Sequence, residues 1–163
     1  MDIPLDELYQ EIILEHYRRP RNHQTGALPP GIAVQAENPS CGDELTLSLQ
    51  LDADGEHVSG VSWQGHGCSI SQASASMMSE AVAGLSLAQT CGMIDQVRGM
   101  MHGEPAADEL EDVLAFKGVS QLPMRVKCVL LAWLALGDAV NQAKAAGPDK
   151  ATAAQAASVG GAP

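Results

Sequence analysis

Aromatic and basic side chains are scarce in this chain of 163 residues. Phe, Trp and Tyr make up 3% of the residues, too few for the stacking surfaces on which single-stranded nucleic acids bind. Lys and Arg number 9 against 20 Asp and Glu, which gives a net charge of −11. Because nucleic acids and anionic membranes attract basic patches, we expect neither as a partner.

Long hydrophobic runs and a basic leader are also missing. The longest apolar run, residues 129–136, is well short of the roughly 18 residues that a membrane helix needs. Residues 1–7 are acidic, whereas a signal peptide begins with basic residues. We therefore expect a cytoplasmic protein with one main domain and a substantial core.

Closely spaced cysteine pairs are missing as well. The four cysteines are dispersed and form no C-x-x-C pair, so neither a zinc ribbon nor a thioredoxin-like site is indicated. Nothing suggests an oxidising compartment, so a disulfide framework is not expected. Without further context, such cysteines are usually small buried hydrophobic residues. They are Cys41, Cys68, Cys91 and Cys128.

The first half of the chain predicts a helix followed by a small sheet. Apolar residues recur with helical spacing over residues 5–17, and Pro20 ends that pattern. Strict alternation of Leu with polar residues over 44–51 predicts a strand, and residues 58–64 predict the returning strand. A third strand is expected at the sheet edge, over residues 33–36.

The second half of the chain is predicted to be helical. Residues 102–122 interrupt it, because they are acidic and broken by Gly and Pro. Pro123 fits the first position of the last helix, where its missing N–H is not needed. The fold class is therefore α+β, with a three-stranded antiparallel sheet and helices packed on one of its faces. The later helices are predicted over residues 70–81, 85–101 and 123–143, and Ser86 is the candidate N-cap of the second.

The end of the chain differs in composition from the rest. From residue 144 onward it is rich in Ala, Gly and Ser, and Val159 is its one large apolar residue. Such a composition buries too little apolar surface to offset the loss of chain entropy. We predict a domain over residues 1–143 and a disordered tail over residues 144–163.

Three cysteines have neighbours that favour a thiolate or a metal ion. Cys41 and Asp43 are two residues apart on a predicted loop, so both side chains can turn toward one cation. Cys68 precedes a predicted helix, whose first N–H groups lower the pKa of a thiol. Cys128 has Arg125 three residues earlier, on the same helix face. Cys91 lies mid-helix with no such neighbour and is interpreted as a packing residue.

The flanking residues carry a resemblance to a known family. Three segments do so, and their order and spacing agree with the family pattern: Glu15-His16-Tyr17-x-x-Pro20-x-Asn22, Pro39-x-Cys41-Gly42-Asp43, and Gly67-Cys68-Ser69-Ile70-Ser71-x-Ala73-Ser74-Ala75-Ser76, with Cys128 following. Over residues 4–143 the chain resembles the iron–sulfur cluster scaffolds that comprise IscU, the N-terminal domain of NifU, and SufU. Two departures from IscU are similar to the SufU type: Lys127 stands where IscU-type scaffolds have a histidine, and the segment between Cys68 and Cys128 is longer than in IscU. The Leu-Pro-Pro-Val-Lys motif of IscU-like proteins is also missing.

The resemblance implies a function and a site. It implies zinc held by Cys41, Asp43, Cys68 and Cys128, all ligand types that zinc accepts. It also implies a sulfurtransferase role, with a PLP-dependent cysteine desulfurase (SufS-like) as sulfur donor and downstream SUF scaffold proteins as receivers. We expect Cys41 to accept the sulfur as a persulfide, since its loop moves more easily than a helix, and Arg125 to support the site.

Other functions remain open at this point. The same thiolates could carry a [2Fe–2S] cluster that is assembled and passed to apo-proteins. A cysteine hydrolase lacks a histidine placed as general base, and a purely structural zinc site normally uses closely spaced cysteine pairs. Lys127 in place of the histidine favours the zinc-dependent sulfur acceptor. His16 is interpreted as a packed helix residue and His66 as a turn residue, not as ligands.

Overall fold

A computed structural model describes the backbone of residues 7–161 and the side chains of residues 7–146. An N-terminal helix, α1, precedes a three-stranded sheet, and the rest of the chain is helical, so the predicted α+β fold is confirmed. The predicted start of the first helix, at residue 5, lies outside the described residues. The elements are α1 (Glu7–Arg18), β1 (Ile32–Asn38), β2 (Asp43–Leu51), β3 (Val58–His66), α2 (Ser69–Ala81), α3 (Leu87–Met101), a 3₁₀ segment (Asp108–Gln121) and α4 (Pro123–Gly161).

The sheet is antiparallel, with β2 between β1 and β3. Leu45, Leu47 and Leu49 alternate along β2 and are all buried, which confirms the alternation predicted for this strand. Ser48, on the opposite face, is also buried. Its hydroxyl donates to the carbonyl of Pro29 at 2.7 Å, in the segment that lies over this face. The chain before β1 therefore covers part of the polar face of the sheet.

Helix α4 packs against β1, β2 and α2. Small residues on α2 allow this close approach: the Ser74 hydroxyl is buried and donates to the carbonyl of Val129 at 2.6 Å. It also accepts the indole N–H of Trp133 at 3.1 Å. These buried contacts fix α4, and with it Cys128, relative to the sheet and α2.

The structure differs from the sequence prediction over residues 102–122. An irregular acidic stretch was expected there, whereas the chain forms the 3₁₀ segment, with one non-helical residue, Glu111, at φ 51°. In a 3₁₀ helix every third side chain lies on the same face. Buried apolar residues follow that spacing and anchor the segment: Leu110, Val113, Phe116 and Val119.

The capping residue predicted for the helix after Leu85 is confirmed. The Ser86 hydroxyl accepts the N–H of Gln89, and the Gln89 side chain accepts the N–H of Ser86 in return. Such a capping box satisfies N–H groups at the helix start that have no partner within the helix.

Helix α4 begins at Pro123 as predicted but extends to Gly161, beyond residue 143. Because the side chains of residues 147–163 lie outside the described residues, the predicted tail over 144–163 stays a prediction. Within the described part of the chain, no helix is long and apolar enough to span a membrane.

Candidate metal centre

The pairing of β2 with β3 brings two distant parts of the sequence together. Glu44 at the start of β2 pairs with His66 at the end of β3. The loop that precedes β2, with Cys41, therefore lies beside the start of α2, with Cys68. This follows from antiparallel pairing, in which the beginning of one strand meets the end of its neighbour.

The loop before β2 is a tight turn between β1 and β2. The N–H groups of Cys41 and Gly42 both donate to the carbonyl of Asn38, at 3.2 and 2.9 Å. Gly42 has φ 72°, a conformation that glycine adopts without the steric cost borne by other residues. The Cys41 side chain is partly exposed at this turn.

Asp43 is the most deeply buried carboxylate of the site. Its side chain is 1% exposed, and its Oδ1 accepts the backbone N–H of Cys68 at 3.0 Å. Its second oxygen, Oδ2, is buried and has no hydrogen-bond partner among the described residues. A buried acceptor without a partner costs about 1–3 kcal/mol, and more for a charged group. A bound cation would satisfy this oxygen.

Cys128 faces Cys41 across the site. Their sulfurs are 3.6 Å apart, much farther than the about 2.05 Å of a disulfide. Two thiolates on one tetrahedral zinc, each about 2.3 Å from the ion, lie about 3.8 Å apart. The ligand atoms of Cys41, Asp43 and Cys128 all lie within 4.8 Å of one another. The donor set and its spacing thus fit a zinc ion.

Cys68 lies beside this cluster but outside it. Its sulfur accepts the N–H of Ser71 at 3.5 Å and so caps the start of α2. It also raises the pKa of Cys128, both through a hydrogen bond and through charge. The structure therefore brings together three of the four expected ligands, and the role of Cys68 as the fourth stays a prediction.

The electrostatics of the site oppose ionisation of all its thiols at once. Burial raises the pKa of the Cys128 thiol, and the neighbouring Cys68 and Cys41 raise it further. Arg125 supplies positive charge beside these sulfurs: its guanidinium hydrogen-bonds Cys128, which raises the pKa of Arg125. A dication would supply the charge that deprotonates the remaining thiol.

Gly67 belongs to the motif around Cys68, but its role in the site was not predicted from the sequence. A Cβ atom at this position would collide with the Asp43 carboxylate and with the hydroxyl of Ser71. Gly67 therefore allows Asp43 to reach the start of α2. The signal in the sequence was the position of this glycine, directly before a cysteine at the start of a predicted helix.

One expectation about the remaining cysteine is wrong. Cys91 was predicted to have no cationic neighbour, whereas the ammonium of Lys144 donates to its sulfur at 3.2 Å. The contact arises because α4 continues past residue 143 and brings Lys144 over α3. Cys91 packs partly buried against the core, and His66 pairs on the surface with Glu44 at 2.8 Å.

The chain is similar in sequence to proteins of iron–sulfur cluster assembly. Residues 8–146 match the family model "NifU-like N terminal domain". The zinc-dependent sulfurtransferase SufU of Bacillus subtilis is 42% identical over 134 residues, which cover 81% of this chain and 88% of SufU. The iron–sulfur cluster assembly scaffold protein IscU of Streptococcus pyogenes is 38% identical, over 85% of this chain and 86% of its own.

A solved structure shows the same likeness in three dimensions. The crystal structure of FiSufU, described as an iron–sulfur cluster assembly scaffold protein for the SUF system of Fervidobacterium islandicum AW-1, superimposes with a TM-score of 0.70. It is 32% identical in sequence, and the match covers 80% of this chain and 94% of FiSufU.

Proposed function

The chain belongs to the NifU-like N terminal domain family, an iron–sulfur cluster assembly family, and from this premise we propose that it is a zinc-dependent sulfur acceptor. Its sulfur donor would be a PLP-dependent cysteine desulfurase in the cytoplasm, and SUF scaffold proteins would receive the sulfur. The observation that carries the proposal is the partly exposed thiol of Cys41, which lies 3.6 Å from a buried thiol and beside a buried carboxylate oxygen without a partner.

Four residues would hold the zinc ion: Cys41, Asp43, Cys68 and Cys128. The bound ion would keep the sulfurs deprotonated and protect them from oxidation until transfer. Asp43 contributes a carboxylate that the Cys68 N–H already orients at 3.0 Å. Cys68 and Cys128 lie at the start of α2 and within α4, where any displacement would disturb packed helices.

Cys41 is the residue best placed to react. Its thiolate would attack the terminal sulfur of the persulfide on the desulfurase, forming a new S–S bond on Cys41. The S–S bond of the donor breaks in the same step, and its cysteine leaves as a thiolate. Arg125, exposed next to the site, supplies positive charge where these sulfur anions meet.

A scaffold for a [2Fe–2S] cluster is the second candidate. It is favoured by the name of the S. pyogenes relative and by the ability of the same thiolates to hold iron. Against it, Lys127 stands directly before Cys128, and an ammonium group is a poor ligand for iron. Protein purified anaerobically without reconstitution should be colourless with about one zinc. Stoichiometric iron and sulfide would support the scaffold instead.

The sulfur-acceptor proposal is tested with two matched serine variants. Cys41→Ser should abolish the stimulation of cysteine turnover by a SufS-type desulfurase, whereas Cys91→Ser should behave as the parent protein does. Mass spectrometry of the trapped product should place one added sulfur on Cys41. A persulfide on Cys128 or Cys91, with Cys41 unmodified, would refute the assignment even if zinc were bound.

A further inference from the structure

A second cluster of ligand groups lies away from the cysteines, where α1, α2 and the 3₁₀ segment meet. It consists of His16, Glu80 and Asp112, one residue from each element, and is called the His16 cluster below. The three ligand atoms lie within 4.8 Å of one another. Neither the packed-residue interpretation of His16 nor the proposed sulfur chemistry accounts for the two carboxylates facing it.

The spacing of the His16 cluster fits a metal ion. The Nε2 atom of His16 is 3.1 Å from Oδ2 of Asp112 and 3.9 Å from Oε1 of Glu80. Two ligands bound about 2.1 Å from one ion lie about 3.0 Å apart at octahedral angles and about 3.4 Å apart at tetrahedral angles. The distance to Asp112 lies within this range and the distance to Glu80 exceeds it by about 0.5 Å, so a small rotation of the Glu80 side chain would bring all three atoms onto one ion.

The imidazole of His16 is held in place by a partner on its other nitrogen. Nδ1 lies 2.7 Å from the hydroxyl of Ser76, which also accepts the backbone N–H of Arg21 at 2.8 Å. A hydroxyl oxygen has two lone pairs, so it can accept from Nδ1–H as well. With the proton on Nδ1, the lone pair of Nε2 is available to an ion, which would replace the 3.1 Å hydrogen bond between Nε2 and Asp112 Oδ2. Metal-binding histidines typically show this arrangement, with the second nitrogen donating to a fixed acceptor.

The charge around the His16 cluster favours a cation. Glu15 adds a third carboxylate nearby, which pairs with the Arg19 guanidinium at 3.1 Å. The Arg21 guanidinium lies 3.4 Å from Glu15 and 3.9 Å from Glu80. Among the described residues, three carboxylates thus face two cationic side chains, and only Arg21 contacts a ligand of the cluster, which leaves an excess of negative charge. His16 itself is buried, while the side chains of Glu80 and Asp112 are 50% and 57% exposed.

An ion can reach these groups from solvent. An open cavity of about 470 Å³ adjoins them, lined by His16, Met77, Glu80, Leu110 and Asp112. Its floor is the buried imidazole and its rim carries the two carboxylates. A cavity of this size also admits the water molecules that would complete the coordination of an ion with three protein ligands.

We propose that His16, Glu80 and Asp112 form an accessory site for a divalent transition-metal ion, separate from the cysteine centre. One imidazole and two carboxylates suit Zn²⁺, Mn²⁺ and Fe²⁺ better than Ca²⁺, which prefers oxygen ligands alone. Because its ligands come from three elements, the ion would tie α1 and the 3₁₀ segment to α2. A cation bound there would stabilise this corner of the fold independently of sulfur transfer.

Titration with Co²⁺ distinguishes the two sites by their spectra. Thiolate ligands give Co²⁺ intense sulfur-to-metal charge-transfer absorption, whereas nitrogen and oxygen ligands give weak d–d bands alone. The untagged wild-type protein should bind two equivalents, one with charge transfer and one without. The double variant Glu80→Gln/Asp112→Asn should lose the Co²⁺ equivalent without charge transfer and keep the one with it. Asp108→Asn, on the same 3₁₀ segment but outside the cluster, is the matched control and should bind both.

Ser76→Ala tests the orienting role of the hydroxyl. It leaves all three ligands in place, and we expect it to weaken the equivalent without charge transfer about tenfold. The proposal is overturned if the wild-type protein binds no Co²⁺ without charge transfer, or if the double variant binds it as tightly as the wild type. Loss of the charge-transfer band alone would count against the cysteine centre and leave the accessory site standing.

Discussion

Two aspartates at opposite ends of β2 have opposite surroundings. Asp43 begins the strand, is buried, and leaves Oδ2 without a partner among the described residues. Asp54 follows the strand in the turn to β3 and is about half exposed. Its carboxylate accepts the N–H groups of Glu56 and His57 at 2.8 and 3.2 Å and contacts the His57 imidazole at 2.7 Å.

Asp54 closes a turn through local hydrogen bonds, whereas Asp43 has a buried oxygen without a partner among the described residues. Every hydrogen bond that Asp54 needs comes from the next three residues, so the turn is complete in itself. Asp43 takes one bond from Cys68, which is 25 residues away, and keeps an oxygen directed toward two thiols. A buried polar atom left without a partner destabilises the fold unless a ligand satisfies it. One end of the strand, called the structural end below, is thus held by local hydrogen bonds, and the other end lies at the candidate metal centre.

Replacing each aspartate by alanine should give the largest difference between the two ends. At a free zinc concentration about 1,000 times the dissociation constant, a bound ion stabilises a fold by about 4 kcal/mol. For a protein of this size that corresponds to about 10 °C in melting temperature. We expect Asp43→Ala to lose the zinc, as measured by elemental analysis, and to lose about 10 °C in melting temperature, as measured by calorimetry.

The control for this prediction is Asp54→Ala, which should keep its zinc. A chelator should lower the melting temperature of the wild type and of Asp54→Ala by similar amounts and leave Asp43→Ala nearly unchanged. Equal melting temperatures for wild-type protein with and without zinc would show that the metal does not support the fold.

Replacing the glycine beside Asp43 or the glycine after Asp54 should change the stability of the fold less than the aspartate substitutions do. In Gly67→Ala the new methyl group would meet the Asp43 carboxylate and the Ser71 hydroxyl. Overpacking of this kind costs about 1–3 kcal/mol, and here it would also displace Asp43, a proposed zinc ligand. In Gly55→Ala, at the Asp54 turn, the cost is the strain of φ 68°, about 1 kcal/mol.

The two glycine variants are separated by zinc binding rather than by stability. Isothermal titration of the metal-free proteins should show weakened zinc binding in Gly67→Ala and wild-type binding in Gly55→Ala. Weakened zinc binding in both variants would mean that the Asp54 turn and the metal centre are coupled through β2, so that the two ends of the strand are not independent.

Local patterns in the sequence were sufficient to predict most of the fold. Leu alternation located β2, Ser86 marked the start of α3, and Pro123 marked the start of α4, because each depends on neighbours within a few residues. The 3₁₀ segment was missed because its apolar spacing of three, seen at Leu110 and Val113, was masked by acidic residues and by flanking Gly and Pro.

The candidate site was predicted as a set of residues but not as an arrangement. The motifs singled out Cys41, Asp43 and Cys128, which the structure brings within 4.8 Å. That Cys68 turns its sulfur toward the N–H of Ser71 depends on a side-chain rotamer, which no spacing in the sequence specifies. The Lys144 contact with Cys91 depends on where α4 ends, and helix ends are the least predictable boundaries.

Lowering the pH should change the stability of the Asp54 turn least of all the changes predicted here. This effect concerns only the structural end of β2. The N–H groups of Glu56 and His57, together with the His57 side chain, lower the pKa of Asp54 below 3.8. The folded state therefore binds this proton less tightly than the unfolded state does. Its contribution to stability is present above the ordinary pKa and is lost as the pH falls through the lowered one.

The measurement compares wild-type protein with Asp54→Asn, both metal-free, by urea unfolding at about pH 5 and about pH 2.5. The wild type should be slightly more stable than Asp54→Asn at the higher pH, and the difference should shrink as the pH falls and the carboxylate takes up a proton. The effect is small because Asp54 is exposed and water screens its contacts. A difference that stays constant between the two pH values would show that the turn is held by the shape of the Asp54 side chain rather than by its charge. The structural end of β2 would then be as insensitive to ionisation as it is to zinc.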